Sequence, residues 1–226
     1  MGMTARVFAD RAAAGAALAR EMKQRSLRPP VLVLALPRGG VPVAYEVARA
    51  LDAPLDVMLV RKIGMPGQPE LAIGAVASGD IVVHERTIEQ EIPAIAEAFD
   101  RIVAEERREL LRREQVYRAG LAPLALGGKT VVLVDDGLAT GSTMLAAVRA
   151  ARAGGAAAIV VAAPVASPEA VQLLAAEADG IVILQIPAML FAIGEWYERF
   201  EQLEDEEVCR LLELHRRSRR VSGEGP

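Results

Sequence analysis

The chain has 226 residues, of which 52% are hydrophobic and 25% charged, and a formal net charge of −4. That balance excludes wholesale disorder and argues against a generic nucleic-acid coat, which needs a basic footprint. With 1 Trp, 3 Tyr and 4 Phe, the core must be built from Ala, Val, Leu and Ile, which suits a parallel sheet covered on both faces.

Taken in chain order, the elements alternate. Residues 10–26 are Ala-rich, with Leu18 and Met22 one turn apart, and predict a leading helix that ends before Pro29 and Pro30. VLVLALP (31–37) reads as a buried strand that stops at a glycine turn; 41–51 is a helix and LDVMLV (55–60) a second strand. RKIGMPGQPE (61–70) carries two glycines, two prolines and three charges, so no regular element is expected there. AIGAV (72–76) and IVVHE (81–85) form a hairpin around Ser78, Gly79 and Asp80. Residues 87–118 repeat apolar positions at three- and four-residue steps, from Ile88 and Ile92 to Phe99, Val103 and Leu110, and predict one long amphipathic helix with Pro93 in its first turn. Strands at 129–136, 157–163 and 181–187 then alternate with helices at 141–153 and 168–178. A charged helix begins near 204, and HRRSRR at its end reads as a frayed, solvated terminus.

The expected fold class is therefore α/β, a parallel sheet flanked by helices with right-handed crossovers. One domain over 1–226 is expected: a core at about 31–187, a helical insertion at about 87–118, and a C-terminal helix and tail at 188–226. One cysteine, Cys209, excludes an internal disulfide, and with only His84 and His215 beside it a Cys/His zinc site is not expected. Neither histidine has a recognisable partner. The longest nearly pure apolar run, 156–166, is too short to span a bilayer, and the N-terminus lacks a signal-peptide layout. A cytoplasmic protein with no membrane partner is the expectation.

Ligands of open α/β sheets bind beyond the carboxyl ends of strands. VVLVDDGLATGSTM (131–144) delivers Asp135 and Asp136 to such an end and then turns through small residues into a helix. Glycines admit a close anion, helix-start amides face it, and Thr140, Ser142 and Thr143 add hydroxyl donors. The carboxylates cannot hold phosphate; they suit a sugar diol, a developing cation, or magnesium through water. Together they point to a phosphorylated sugar. A P-loop does not fit, because Gly128, Lys129 and Thr130 precede the strand; no dinucleotide GxGxxG is present; and an aspartyl phosphatase would want a second carboxylate where Gly137 or Leu138 stands.

The stretch VVLVDDGLATGST resembles the phosphoribosyl pyrophosphate (PRPP) motif of type I phosphoribosyltransferases, in an uncharacterised predicted branch with a long helical insertion and a small hood. The resemblance implies that Asp135 and Asp136 contact the ribose hydroxyls and that Ala139, Thr140, Gly141, Ser142 and Thr143 hold the 5-phosphate. Gly137 stands where many members carry an apolar residue, which would loosen the turn. LPRGGVPVA (36–44) looks like the family's pyrophosphate loop, with Pro37, Arg38, Gly39 and Gly40 as its match; the glycines offer amides and Arg38 a bidentate fork. VRKIGMPGQPELAIGAVA (60–77) resembles the mobile catalytic loop region, where Arg61 and Lys62 would neutralise departing pyrophosphate and Glu70 is a weaker candidate for the developing cation.

The resemblance implies transfer of phosphoribosyl from Mg-PRPP to a nitrogen acceptor, with Mg2+ held through water at Asp135 and Asp136. The alternative is a PRPP-sensing regulatory or nucleic-acid-binding protein on the same fold. The expected partners are PRPP and a small nitrogenous acceptor, no nucleic acid, and a second copy packed on the 87–118 helix. Late in the chain, Phe191 or Trp196 would stack on a base, or these aromatics seal a core.

Overall fold

The structure is a computed structural model describing residues 7–65, 68–84 and 93–221. Helix α1 (Arg11–Lys23) precedes strand β1 (Val31–Ala35), helix α2 (Gly40–Leu51) and strand β2 (Leu55–Val57). Strands β3 (Val60–Met65), β4 (Gln68–Ala77) and β5 (Ile81–His84) lead to the long helix α3 (Pro93–Arg118). Then come β6 (Thr130–Val134), α4 (Ser142–Ala153), β7 (Ala158–Val165), α5 (Pro168–Ala175), β8 (Gly180–Gln185) and α6 (Asp205–Val221). Among the described residues no helix is long and apolar enough to cross a membrane.

The main sheet is parallel, in the order β2-β1-β6-β7-β8. Its central strands, β1, β7 and β6 beyond Thr130, are apolar throughout because successive side chains face opposite sides and both sides are covered. Val33, Ala35, Val132, Val134, Val160 and Ala162 face α1, α2 and α6 through Leu18, Met22, Val47 and Leu212. Leu32, Leu34, Val131, Leu133, Ile159 and Val161 face α4 and α5 through Met144, Val148 and Leu174.

A second, antiparallel sheet in the order β3-β4-β5 stands beside the first. It lies between two helices. Ile63 and Ile73 pack with Phe99, Val103 and Leu110 of α3, whereas Val60, Ala77 and Val83 pack with Met144 and Ala147 of α4. The turn into β5 runs through Gly79 and Asp80, both at positive φ.

Three expectations change. The chain at 61–70 is not irregular: β3 and β4 run through it, leaving 66–67 outside the described residues. Register shifts at Gly64 absorb the glycine as a bulge, and cross-strand pairing outweighs the local turn signals. The apolar run 55–60 is two strands rather than one. It leaves the main sheet at Met58, and Ser78, fully buried, bonds Leu59 in both directions at 2.9 and 3.0 Å. Nor does the C-terminal basic stretch fray. It is helical to Val221; His215 is buried with Nε2 3.0 Å from the Ala53 carbonyl, and Arg219 donates to the Asp52 carbonyl at 2.6 Å. The helix expected at 87–118 begins at Pro93 among the described residues; 87–92 lie outside them, as does the His84 side chain.

Two buried anchors fix α3. Phe99 fills the space above Gly74, where a Cβ would come within 2.8 Å of its ring. At the other end Arg118 donates to both carboxylate oxygens of Asp56 at 3.0 and 3.1 Å and to the Ala122 carbonyl at 2.9 Å. Phe99→Ala is expected to cost about 3–5 kcal/mol in chemical denaturation, by lost burial plus a cavity. Leu111→Ala, on the exposed face of α3, is expected to change stability by less than about 0.5 kcal/mol.

Candidate active site

The strand order reverses at the centre of the main sheet. From β1 the chain crosses through α2 to β2 on one side; from β6 it crosses through α4 to β7 on the other. The crevice beyond the carboxyl ends of β1 and β6 is therefore the switch point, where such sheets bind ligands. Residues 36–40 leave β1 there, and residues 135–141 leave β6.

These two turns touch. A Cβ on Gly39 would lie 2.5 Å from Asp136 Cγ, and one on Gly40 would lie 2.5 Å from the Val134 carbonyl and 3.0 Å from Asp135 Cα. Only glycine allows the first turn to lie on the acidic pair. Gly137 is needed for a similar reason: a Cβ there would lie 2.5 Å from Ile193 Cγ2. The turn is filled by Ile193 rather than loosened, which corrects the expectation.

Asp136 is buried, and its carboxylate accepts from Arg11 Nε at 2.7 Å. Its carbonyl accepts from the Tyr197 hydroxyl at 2.5 Å. Asp135 Oδ1 accepts the Asp136 amide at 2.9 Å. Burial, and then the neighbouring Asp136 charge, push the Asp135 carboxyl well above the ordinary aspartate range. Burial and the same charge push the Tyr197 phenol up, so it remains a donor.

The 139–143 turn is held from behind. Ser167 Oγ donates to the Ala139 carbonyl at 2.7 Å, and Gly141 takes φ +73°, a conformation that favours glycine. The Gly141 carbonyl accepts the Leu145 amide at 2.8 Å, starting α4. Among the described residues, the amides of Ala139, Thr140, Gly141 and Thr143 meet no protein acceptor, and that of Ser142 meets only Thr140 Oγ1, at 3.3 Å. Open amides at a helix start, with the dipole's positive end, form an anion cradle. The Thr140 and Ser142 hydroxyls lie 3.1 Å apart beside it.

A cleft of about 350 Å³ opens on Asp136, bounded by Arg11, Arg38, Gly39 and Phe200. The Arg11 guanidinium lies 3.8 Å from the centre of the Phe200 ring and donates to the Glu201 carbonyl at 2.8 Å. Arg38 Nη1 sits 3.6 Å from Glu204 and 3.9 Å from Asp205. Pro37, Arg61, Arg113 and Thr143 line a smaller cavity of about 70 Å³ between the two turns.

The structure thus brings Asp135, Asp136, Gly39, Gly40 and the 139–143 turn to one crevice. It separates Arg61 from Lys62: Arg61 pairs with Glu106 of α3, and Lys62 Nζ donates to Ser142 Oγ at 3.1 Å. The Glu70 side chain lies outside the described residues. Phe191 is 77% exposed, so it seals no core. Trp196 packs beside Phe8, Ala14 and Tyr197 rather than lining the cleft. The cleft's aromatic is Phe200. Arg11 carries no local signal, and within the aromatic segment 185–200 nothing local sets Tyr197 and Phe200 apart from Phe191 and Trp196. Arg11, Tyr197 and Phe200 arrive because Phe8 bridges to Tyr197 and exchanges backbone hydrogen bonds with Trp196 and Glu198 at 2.9 and 2.8 Å.

Tyr197→Phe leaves the buried Asp136 carbonyl without its donor, and a loss of about 1–3 kcal/mol is expected in denaturant titration. For Asp135 the folded state holds its proton more tightly than the unfolded chain does. Its contribution to stability therefore falls as pH rises above the ordinary aspartate range. Asp135→Asn is expected to raise the melting temperature near pH 7 and to leave it nearly unchanged at acid pH where both states hold the proton. A melting temperature lowered at pH 7 would contradict this.

A family model described as phosphoribosyl transferase domain matches residues 8–194. A Mycobacterium tuberculosis (strain ATCC 25618 / H37Rv) protein named "Putative phosphoribosyl transferase Rv0571c" is 44% identical over 208 residues, which cover 92% of this chain and 47% of that one. The chain thus spans about half the length of the curated relatives it matches. The crystal structure of TT1426 from Thermus thermophilus superposes with a TM-score of 0.84 at 45% identity, covering 91% of this chain and 97% of that one. On the sequence match and the geometry of its central crevice, the chain belongs to the phosphoribosyl transferase domain family.

Proposed function

We propose that this chain transfers phosphoribosyl from PRPP to a nitrogen acceptor and releases pyrophosphate. The observation that carries the reading is the contact of the two turns: an acidic pair and an open-amide cradle on one loop, with a glycine–arginine turn laid against them. In this reading the amides and hydroxyls of Ala139, Thr140, Gly141, Ser142 and Thr143 hold the 5-phosphate. Asp135 and Asp136 grip the ribose diol, which brings a hydroxyl donor to each carboxylate. The Gly39 amide, with the Arg38 fork, takes the pyrophosphate end, while the Gly40 amide is committed to the Leu36 carbonyl at 3.1 Å and Gly40 serves by its lack of a side chain. Arg61 reaches the same end from the far wall of the smaller cavity.

As the bond at C1 breaks, the sugar becomes cation-like and charge grows on the leaving group. Asp135 and Asp136 face the sugar, and Arg38 and Arg61 face the growing negative charge, where fixed cations act most strongly. No protein nucleophile is required. The donor set suits magnesium: two adjacent carboxylates at a strand end. An ion held through waters and donor phosphates fits that set better than one in a protein cage. Asp135 and Asp136 would hold magnesium through water, and the ion would supply positive charge against the departing pyrophosphate. Phe200, stacked under Arg11 at the cleft, is the aromatic this reading offers to an acceptor ring. The exposed Leu111 and Val116 of α3 offer an apolar face to a second copy.

The alternative, a PRPP sensor that acts on nucleic acid, draws its support from the basic C-terminal stretch. Two of its arginines are paired, Arg217 with Glu213 and Arg219 with Asp52, which favours the enzyme.

The test is pyrophosphate release from PRPP with magnesium across a panel of purines, pyrimidines and simple amines. Acceptor-dependent release is expected from the unaltered chain, and its loss in Asp135→Asn combined with Asp136→Asn. Release that no acceptor changes, or a double variant as active as its parent, would overturn the reading.

A further inference from the structure

Arg61 and Lys62 are adjacent basic residues and invite one shared task. The strand forbids it. On β3 successive side chains point to opposite faces. Arg61 and Ile63 face α3, where Arg61 meets Glu106. Val60 and Lys62 face α4, where Val60 joins the apolar cluster containing Met144 and Lys62 meets Ser142. A one-residue slip that exchanged the two would turn Ile63 out of the core.

We propose that Lys62 is a ligand of the 5-phosphate and completes the 139–143 cradle from the antiparallel sheet. Its ammonium is 3.1 Å from Ser142 Oγ, which is 3.1 Å from Thr140 Oγ1, so one cation and two hydroxyls converge at the start of α4. Among the described residues Lys62 has no carboxylate partner, whereas Arg61 has Glu106. An ammonium has three donors, and Ser142 Oγ takes one, leaving two for phosphate oxygens. The 139–143 turn itself offers only neutral amides and hydroxyls to a group bearing close to two negative charges. Lys62 adds a positive charge in direct contact with the turn, and as a compact ion it suits a phosphate without needing the bidentate fit of arginine.

The assignment also ties the second sheet to ligand binding. β3 and β4 are the strands through the segment resembling the mobile catalytic loop. With Lys62 on the 5-phosphate and Arg61 toward the pyrophosphate end, one strand spans both ends of the donor.

This assignment rests on the proposed function, and the experiment separates the two. Calorimetric titrations would use ribose 5-phosphate, which presents only the phosphate end, and inorganic pyrophosphate with magnesium, which presents only the other. The proteins are the unaltered chain, Lys62→Gln and Lys62→Arg. Gln keeps a donor for Ser142 but no charge. Lys62→Gln is expected to weaken ribose 5-phosphate on the order of tenfold or more, to leave pyrophosphate unchanged, and to flatten the salt dependence of the former. Lys62→Arg is expected to restore most of the loss. If Lys62→Gln binds ribose 5-phosphate like the unaltered chain, or loses pyrophosphate instead, the assignment is overturned while the proposed function stands. If the unaltered chain binds neither ribose 5-phosphate nor PRPP, both fall.

Discussion

The crevice depends on one steric fact: two glycines at the end of β1 lie against two aspartates at the end of β6. Neither turn would sit where it does with side chains at 39 and 40, because the space is taken by the Asp136 carboxylate and the Val134 carbonyl. The same closeness holds Asp136 out of bulk water and leaves Asp135 half-buried. It raises the affinity of Asp135 for its proton, and it makes the single ion pair from Arg11 to Asp136 valuable. A binding surface built this way is strained in charge but fixed in shape, which is the usual condition of a site whose ligand completes it.

In this structure three arginines of the site rest on nearby acids. Arg11 rests on Asp136, Arg61 on Glu106, and Arg38 loosely on Glu204 and Asp205. The Arg38 contacts are exposed, and pairs of that kind contribute about 0–1 kcal/mol. Exchanging them for phosphate oxygens therefore costs little. The Arg11 pair differs, since both partners are largely buried. A diol arriving at Asp136 must share that carboxylate with Arg11 or displace it. Arg11 thereby couples the leading helix, and the Phe200 segment it stacks on, to whatever occupies the crevice.

Much of this was legible in the letters, for a physical reason in each case. The main-sheet strands are runs of apolar residues whose two faces are both buried, so 31–37, 129–136, 157–163 and 181–187 could be read without neighbours. The acidic pair, the glycines and the hydroxyls of 135–143 sit on one turn, so their chemistry is contiguous. Other parts depend on distant contacts. Residues 61–70 carry every sign of a loop, yet pairing of β3 with β4 and the burial of Ile63 under Phe99 decide otherwise. Arg11 reaches Asp136 across 125 residues because Phe8 bridges to Tyr197. His215 looked partnerless and proves buried against the Ala53 carbonyl. Lys62 and Arg61 looked like a pair until strand alternation put them on opposite faces.

The most direct measurement is a crystal structure of the chain soaked with PRPP and magnesium. The 5-phosphate is expected on the 139–143 amides, the ribose hydroxyls on Asp135 and Asp136, and the pyrophosphate against Gly39, Gly40 and Arg38. A donor found elsewhere on the surface, or bound with its pyrophosphate on the 139–143 turn, would contradict this.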